Sequence, residues 1–135
     1  MATMSLAPAA PLTTMKARTG YVLSGLVILF LSFDIAIKFI NPPQVAQASA
    51  HIGWPSSLAP VLGAILLLCT ALYAMPRTSI FGAVLLTGYL GGAVATHLRV
   101  GDPLFSHVLF PVYLGVLLWI GLFLRDQRVR ALIQF

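Results

Sequence analysis

Four long apolar runs, separated by short polar or proline-containing breaks, constrain the fold more than any other feature of this sequence. They cover about residues 20–40, 58–75, 79–98 and 103–124. As a helix the first run is about 31 Å long, which matches the hydrocarbon core of a bilayer. Of the 135 residues, 59% are apolar and only 8% are charged, too few charges for a soluble domain. The sequence therefore predicts an all-α integral membrane four-helix bundle, with the lipid bilayer as its main partner.

Polar residues at the breaks suggest where each run begins. Thr19 and Thr78 are expected N-caps of the first and third runs. Asp102 is the expected N-cap of the fourth, because residues 111–124 alone would cover only about 21 Å. Residues 1–18 are interpreted as a disordered N-terminal tail and residues 19–135 as the membrane domain. Within the longest connection, residues 41–57, a short helix could form over residues 44–50.

The basic residues predict the orientation of the four spans. Four crossings place both termini on one side, together with six of the eight basic residues: Lys16, Arg18, Arg77, Arg125, Arg128 and Arg130. Lys and Arg concentrate on the cytoplasmic side of membrane proteins. The prediction is a multi-pass protein of the cell inner (plasma) membrane with both termini cytoplasmic (N-in/C-in). Because these charges flank apolar runs rather than forming a basic surface, no nucleic-acid partner is expected.

Two further patterns suggest how the helices pack. Gly88 and Gly92 form a small-xxx-small pair in the third run, which predicts close contact with a neighbouring helix, and an oligomer contact stays open. Four aromatic residues lie near run ends, as residues of an interfacial aromatic belt would: Tyr21, Trp54, Tyr73 and Trp119.

The first run contains a pair of opposite charges. Asp34 and Lys38 are four residues apart and so share one helix face, in the favoured acid-before-base order. A charge near the centre of a membrane span costs roughly 2.5–3.5 kcal/mol, so such residues tend to mark a site. Pairing removes much of this cost. Two interpretations stay open: a pair that only fixes helix depth, and a pair that faces a binding pocket.

Further polar residues fall on the same, outer side of the membrane. Tyr89 and His97 share one face of the third run, and Arg99 follows it directly. His107 lies in the first turns of the fourth run, after Asp102. The sequence thus predicts an outer-half polar pocket with these ligand-pocket candidates: Asp34, Lys38, Tyr89, His97, Arg99, Asp102 and His107.

The motifs of familiar chemistries are missing from this sequence. It has no HxxxH, CxxC or ExxH spacing, so no metal is expected. Cys69 is the single cysteine, which rules out a thiol pair within the chain. No catalytic residue is assigned, and whether the protein is an enzyme stays open.

The chain resembles the DoxX-like family of small four-helix membrane proteins from about Gly20 to Leu132. The matching pieces are His51-Ile-Gly-Trp-Pro55, Leu72-Tyr-Ala-Met-Pro-Arg77, the stretch from Gly82 to His97, which ends in Gly-Tyr-Leu-Gly-Gly-Ala-Val-Ala-Thr-His, and Val100-Gly-Asp-Pro-Leu-Phe105. Named relatives are a subunit of a thiosulfate:quinone oxidoreductase and a membrane component of thiol and redox-stress complexes. The resemblance implies a membrane subunit of a redox-related assembly with redox partner subunits. Together with the carboxylate and imidazoles of the outer-half pocket, which suit hydrogen bonding to a quinone, it leads to the hypothesis of a small quinone-like ligand there. The alternatives are a small-molecule or proton-coupled permease and a membrane assembly or scaffold protein without chemistry.

Overall fold

The computed structural model describes residues 14–133. Within that range the chain forms helices and no strands: α1 (Thr14–Ile40), α2 (Pro43–His51), α3 (Ala59–Ala74), α4 (Ser79–Arg99), α5 (Phe110–Arg125) and α6 (Gln127–Ile133). A 3-10 turn (Ser56–Leu58) leads into α3, and a π-helical turn (Leu104–Val108) precedes α5. Four helical segments, Thr14–Ile40, Ser56–Ala74, Ser79–Arg99 and Leu104–Arg125, are long and apolar enough to cross a membrane. The predicted all-α bundle with four membrane-spanning helices is confirmed.

The four long helices form a closed ring in up-down-up-down order. α1 and α4 lie diagonally opposite each other, and both pack against α3 and α5. We call the end where α1 begins and α5 ends the terminal end, and the opposite end the distal end. The short connection between α3 and α4 makes these two helices antiparallel neighbours. The core is made of apolar side chains from all four long helices, many of them leucines, and Leu66, Leu86, Leu118 and Leu122 are fully buried.

The helix boundaries differ from the predicted ones at both ends of the bundle. α1 begins at Thr14, so residues 14–18 of the expected tail are helical, while residues 1–13 lie outside the described residues. Thr19 is inside the helix, where its hydroxyl donates to the Met15 carbonyl oxygen at 3.0 Å instead of capping. Thr78 precedes α4 but its hydroxyl donates to Leu72 O. The expected helix over residues 44–50 is present as α2.

The start of the fourth span is the largest departure from the sequence prediction. Instead of a regular helix from Pro103, the chain makes a π-helical turn and begins α5 only at Phe110. Pro111 explains the break, because its nitrogen has no hydrogen to donate to the carbonyl of residue 107. Asp102 does not cap this segment, since its carboxylate binds two imidazoles instead. The predicted cap is therefore wrong.

The glycines of α4 have roles other than the predicted one. A Cβ on Gly88 or Gly92 would meet nothing within 4 Å, so the predicted helix contact through this pair is wrong within the described chain. Close approach occurs at Gly82 instead, where a Cβ would lie 2.2 Å from the backbone nitrogen of Tyr73. Only glycine allows α3 and α4 to pack this closely.

A buried polar network fastens the terminal end. Tyr73, expected in an aromatic belt, is instead 0% exposed, and its hydroxyl donates to the Leu118 carbonyl oxygen at 2.8 Å. Because that bond uses the only phenolic hydrogen, the Ser24 hydroxyl is the donor in its 3.0 Å bond to Tyr73. Arg125 in turn donates to Ser24 Oγ at 2.9 Å and covers the Tyr73 ring at 4.9 Å. These bonds link α1, α3 and α5.

Candidate functional site

A cavity of about 540 Å³ lies between the helices in the distal half of the bundle. We call it the distal cavity. Its wall comes from all four long helices and from the segment after α2. The residues used below are Asp34, Lys38, Trp54, Gly88, Tyr89, Gly92, Thr96 and His97. The remaining lining is mostly apolar, as in known small-molecule sites, which combine an apolar wall with a few polar groups.

The charged pair of α1 faces this cavity. Lys38 Nζ donates to Asp34 Oδ1 at 2.5 Å, which confirms the predicted i, i+4 pair. Both side chains line the cavity, and both are partly exposed rather than buried among apolar groups. A Lys ammonium has three donors, so Lys38 keeps two for other acceptors. The pair therefore offers both a donor and an acceptor to a molecule in the cavity.

Two glycines of α4 leave the open volume of the distal cavity. Gly88 and Gly92 line the cavity on the same wall as Tyr89 and His97. Since neither glycine has a neighbour within 4 Å of its missing Cβ, any larger side chain at these positions would project into open volume. The small-residue pattern that predicted helix packing thus produces a ligand-sized void.

A carboxylate bridges two imidazoles at the distal rim. Asp102 Oδ2 lies 2.6 Å from His97 Nδ1, and Asp102 Oδ1 lies 2.6 Å from His51 Nε2. The Asp102 side chain is only 7% exposed, that of His97 is 28% exposed and that of His51 is 61% exposed. The bridge therefore runs from the open surface to the wall of the cavity. It also ties the end of α2 to the connection between α4 and α5.

The bridge holds Asp102 in its ionised form. Hydrogen bonds from His97 and then from His51 lower the pKa of the Asp102 carboxyl below its ordinary value. An ionised carboxylate only accepts hydrogen bonds, so each imidazole must donate to it. In neutral His97 the hydrogen consequently sits on Nδ1, and Nε2 carries a lone pair.

The other two predicted residues lie beside the cavity and not in its wall. Arg99 Nη2 donates to the Ile52 carbonyl oxygen at 2.5 Å and lies against Gly53, whose φ of +78° favours glycine. The His107 ring packs edge-on against the His97 ring with 6.0 Å between centroids, and His107 Nδ1 lies 2.8 Å from Ser106 Oγ. Arg99 thus holds a segment that lines the cavity, and His107 contacts the edge of the His97 ring without a hydrogen bond to it.

Four of the seven predicted residues, Asp34, Lys38, Tyr89 and His97, line one cavity, and Asp102 joins them through His97. The sequence analysis missed Trp54, Thr96 and His51. His51 is 51 residues from Asp102, and no local spacing could have paired them. The family resemblance nevertheless carried a signal, because three of its matching pieces meet at this rim. They are His51–Pro55, the stretch ending at His97, and Val100–Phe105.

Among residues 14–133, no three His, Cys, Asp or Glu side chains are placed so that they could hold an ion. Asp102 already uses both oxygens for the imidazoles.

The fold and the cavity together define a small multi-pass membrane protein, a four-helix bundle whose distal half holds a mainly apolar cavity with a few polar groups on its wall. The chain matches the DoxX-like family over residues 22–121, most of its length, and it belongs to that family. No curated protein and no solved structure matches the chain.

Proposed function

We propose that this protein is the membrane subunit of a redox-related assembly and that its distal cavity binds a small quinone-like ligand. The observation that carries the proposal is the cavity itself: about 540 Å³, mainly apolar walls, and a charged pair with an imidazole on the lining. An apolar ring with polar oxygens fits such a surface, because its ring packs against the walls while its oxygens meet the polar groups. A bound quinone would supply electron and proton transfer.

The residues that would hold the ligand are Asp34, Lys38 and His97. Lys38 has donors left for a carbonyl or oxyanion, and His97 has a free ring nitrogen. Thr87, Gly91 and Trp119 lie instead along a separate apolar groove of about 460 Å³ between α4 and α5. That groove has no charged lining residue, which favours the distal cavity as the site for a polar headgroup.

The proposal that the protein is a subunit, and not a complete redox enzyme, is supported by its lack of a thiol pair. Cys69 is its single cysteine and is buried in the bundle, so the chain has no thiol pair for electron exchange. Electrons would have to pass between the bound ligand and another protein. The closed terminal half, sealed by Tyr73 and its partners, favours a site that opens to one side over a passage through the bundle.

We further propose the inner (plasma) membrane, with the distal end facing outside and both termini in the cytoplasm. Four arginines lie at or beyond the terminal end of the described helices, which favours that end as cytoplasmic: Arg77, Arg125, Arg128 and Arg130. A tag cleavable only from one side of sealed vesicles tests this orientation.

The binding proposal is tested with tryptophan fluorescence. The chain has two tryptophans, of which Trp54 lines the distal cavity and Trp119 lines the separate groove. In a Trp119→Phe background, decylubiquinone added to protein in detergent should quench Trp54 saturably. Gly92→Leu fills the cavity and should weaken this binding by about tenfold or more.

Gly91→Leu is the matched control. Gly91 is on the same helix and also has an empty Cβ position, but it lines the other groove. The affinity of the Gly91→Leu protein for decylubiquinone should stay within about twofold of the affinity of the parent protein. Equal weakening by both substitutions, or quenching that does not saturate, would show that the ligand does not occupy the distal cavity.

For the assembly, Asp34→Asn and His97→Ala should insert normally yet abolish the host's redox-stress phenotype. Unchanged phenotypes would count against the proposed role.

A further inference from the structure

We infer that His97 accepts the proton of a hydroxyl-bearing headgroup in the distal cavity, and that Asp102 is the positioning residue that makes this possible. The inference rests on the proposed function and deepens it: the group that His97 favours is a phenol- or quinol-type hydroxyl on an apolar body, whereas a quinone carbonyl would take its donor from Lys38. It assigns roles to the imidazole–carboxylate–imidazole bridge at the rim.

The first step is the hydrogen placement on His97. Nδ1 lies 2.6 Å from a carboxylate oxygen of Asp102, so Nδ1 carries the hydrogen. Nε2 makes no hydrogen bond within residues 14–133 and belongs to a ring that lines the cavity. A neutral His97 therefore presents an acceptor to the cavity and not a donor. A ligand hydroxyl satisfies it, whereas a ligand carbonyl leaves two acceptors facing each other.

The second step is the basicity of that acceptor. A carboxylate bonded to one imidazole nitrogen stabilises the imidazolium that forms when the other nitrogen takes a proton. Asp102 is well suited because its side chain is only 7% exposed and its oxygens are fixed from both sides. His51, on the second oxygen, keeps the carboxylate from rotating and reaches the open surface.

The third step is the fate of the charges. When the proton moves, the ligand O–H bond breaks and an Nε2–H bond forms, leaving an imidazolium beside Asp102 and an oxyanion in the cavity. Lys38 lines the same cavity and has ammonium donors not used by Asp34, so it can stabilise the oxyanion. The transfer is a proton movement alone and needs no oxidant.

The surroundings of His97 hold other titratable groups. They are Asp34 and Lys38 on α1, His51 on α2, Tyr89 on α4, and Asp102 and His107 in or before the π-helical turn. Asp34 is already paired with Lys38, and His107 lies edge-on at 6.0 Å with its Nδ1 beside Ser106. Among residues 14–133, only Asp102 hydrogen-bonds to the His97 ring.

The test uses a nitrophenol that carries a hexyl chain, because its ionised form has its own visible absorbance band. We expect the full-length protein to lower the apparent pKa of the bound probe by about one unit relative to empty detergent micelles, a tenfold change. The methyl ether of the probe has no proton and should bind more weakly. Trp54 quenching in the Trp119→Phe background reports binding of both molecules.

Three variants separate the roles. His97→Gln should still bind the probe but lose most of the pKa shift, because an amide cannot take up a proton. Asp102→Asn should do the same, and Asp102→Glu should restore part of the shift. His107→Gln is the matched control and should keep the shift, because His107 is outside the cavity wall.

Each outcome is decisive. A shift that persists in His97→Gln, or binding by the parent without a shift, overturns this inference while leaving the cavity as a binding site. Failure of both the phenol and its methyl ether to quench Trp54 saturably defeats the proposed function as well. Should Asp102→Asn fail to give folded protein, the contrast between His97→Gln and His107→Gln decides alone.

Discussion

Removing one hydroxyl from the terminal end, by Tyr73→Phe, should destabilise the whole bundle. The Tyr73 hydroxyl donates to Leu118 O at 2.8 Å and accepts from the Ser24 hydroxyl at 3.0 Å, joining α3 to both α5 and α1. The substitution leaves the ring and its contact with Arg125 in place, so packing volume is nearly unchanged. The change in stability therefore reports the hydrogen bonds alone.

The expected magnitude follows from two lost interhelical bonds. A net intramolecular hydrogen bond contributes roughly 0.5–1.5 kcal/mol, and interhelical bonds in membrane bundles average about 0.6 kcal/mol. The Leu118 carbonyl keeps its bond within α5, and the Ser24 hydroxyl can turn to a carbonyl of its own helix. We therefore expect a loss of roughly 1–2 kcal/mol in the free energy of unfolding.

The assay is equilibrium unfolding by SDS in mixed micelles, followed by far-ultraviolet circular dichroism. Tyr113→Phe is the matched control, because its hydroxyl also donates to a carbonyl, Phe105 O at 3.0 Å, but the residue is 44% exposed. For this variant we expect the free energy of unfolding to fall by less than roughly 0.5 kcal/mol. Equal losses for the two variants would refute the view that the buried network fastens the helix ends.

Two further predictions address packing and pH. Gly82→Ala should lower the free energy of unfolding by about 3 kcal/mol or prevent folding, because the new Cβ would collide with the Tyr73 backbone. Gly25→Ala is the control: its Cβ would meet nothing within 4 Å, so it should be neutral or stabilising in the same unfolding assay. Because the folded pKa of Asp102 is lowered, its contribution is present above the ordinary Asp pKa and is lost as pH falls through the lowered value. The stability difference between the parent and Asp102→Asn should therefore shrink as pH falls below about 4. A difference that grows as pH falls below about 4 would contradict this expectation.

The features that could be predicted from sequence are those set by depth along the bundle axis or by helical period. Run length gave the four spans because hydrocarbon thickness fixes how many apolar residues a span needs. The period of 3.6 residues put Asp34 beside Lys38 and put Tyr89 on one face with His97. Four of the proposed site residues therefore lie together in the structure.

The features that could not be predicted depend on rotation about a helix axis or on distant pairing. Hydropathy locates Tyr73 near a helix end but does not say whether its ring faces lipid or the core. A glycine pair fits both close packing and an open void, and what lies opposite decides between them. Asp102 was assigned to the nearest helix start, whereas tertiary packing brings His51 to its carboxylate.

The most direct test of the distal cavity as a ligand site is the mass of what co-purifies with the protein. Parent, Gly92→Leu and Gly91→Leu proteins are purified in mild detergent, and the bound small molecules are extracted and identified by mass spectrometry. If the distal cavity is a ligand site, an apolar molecule with a hydroxyl or quinone-like headgroup should be recovered in near-stoichiometric amount from the parent and Gly91→Leu proteins and should be lost from Gly92→Leu. Equal recovery from all three proteins, or no such molecule from the parent, would contradict it.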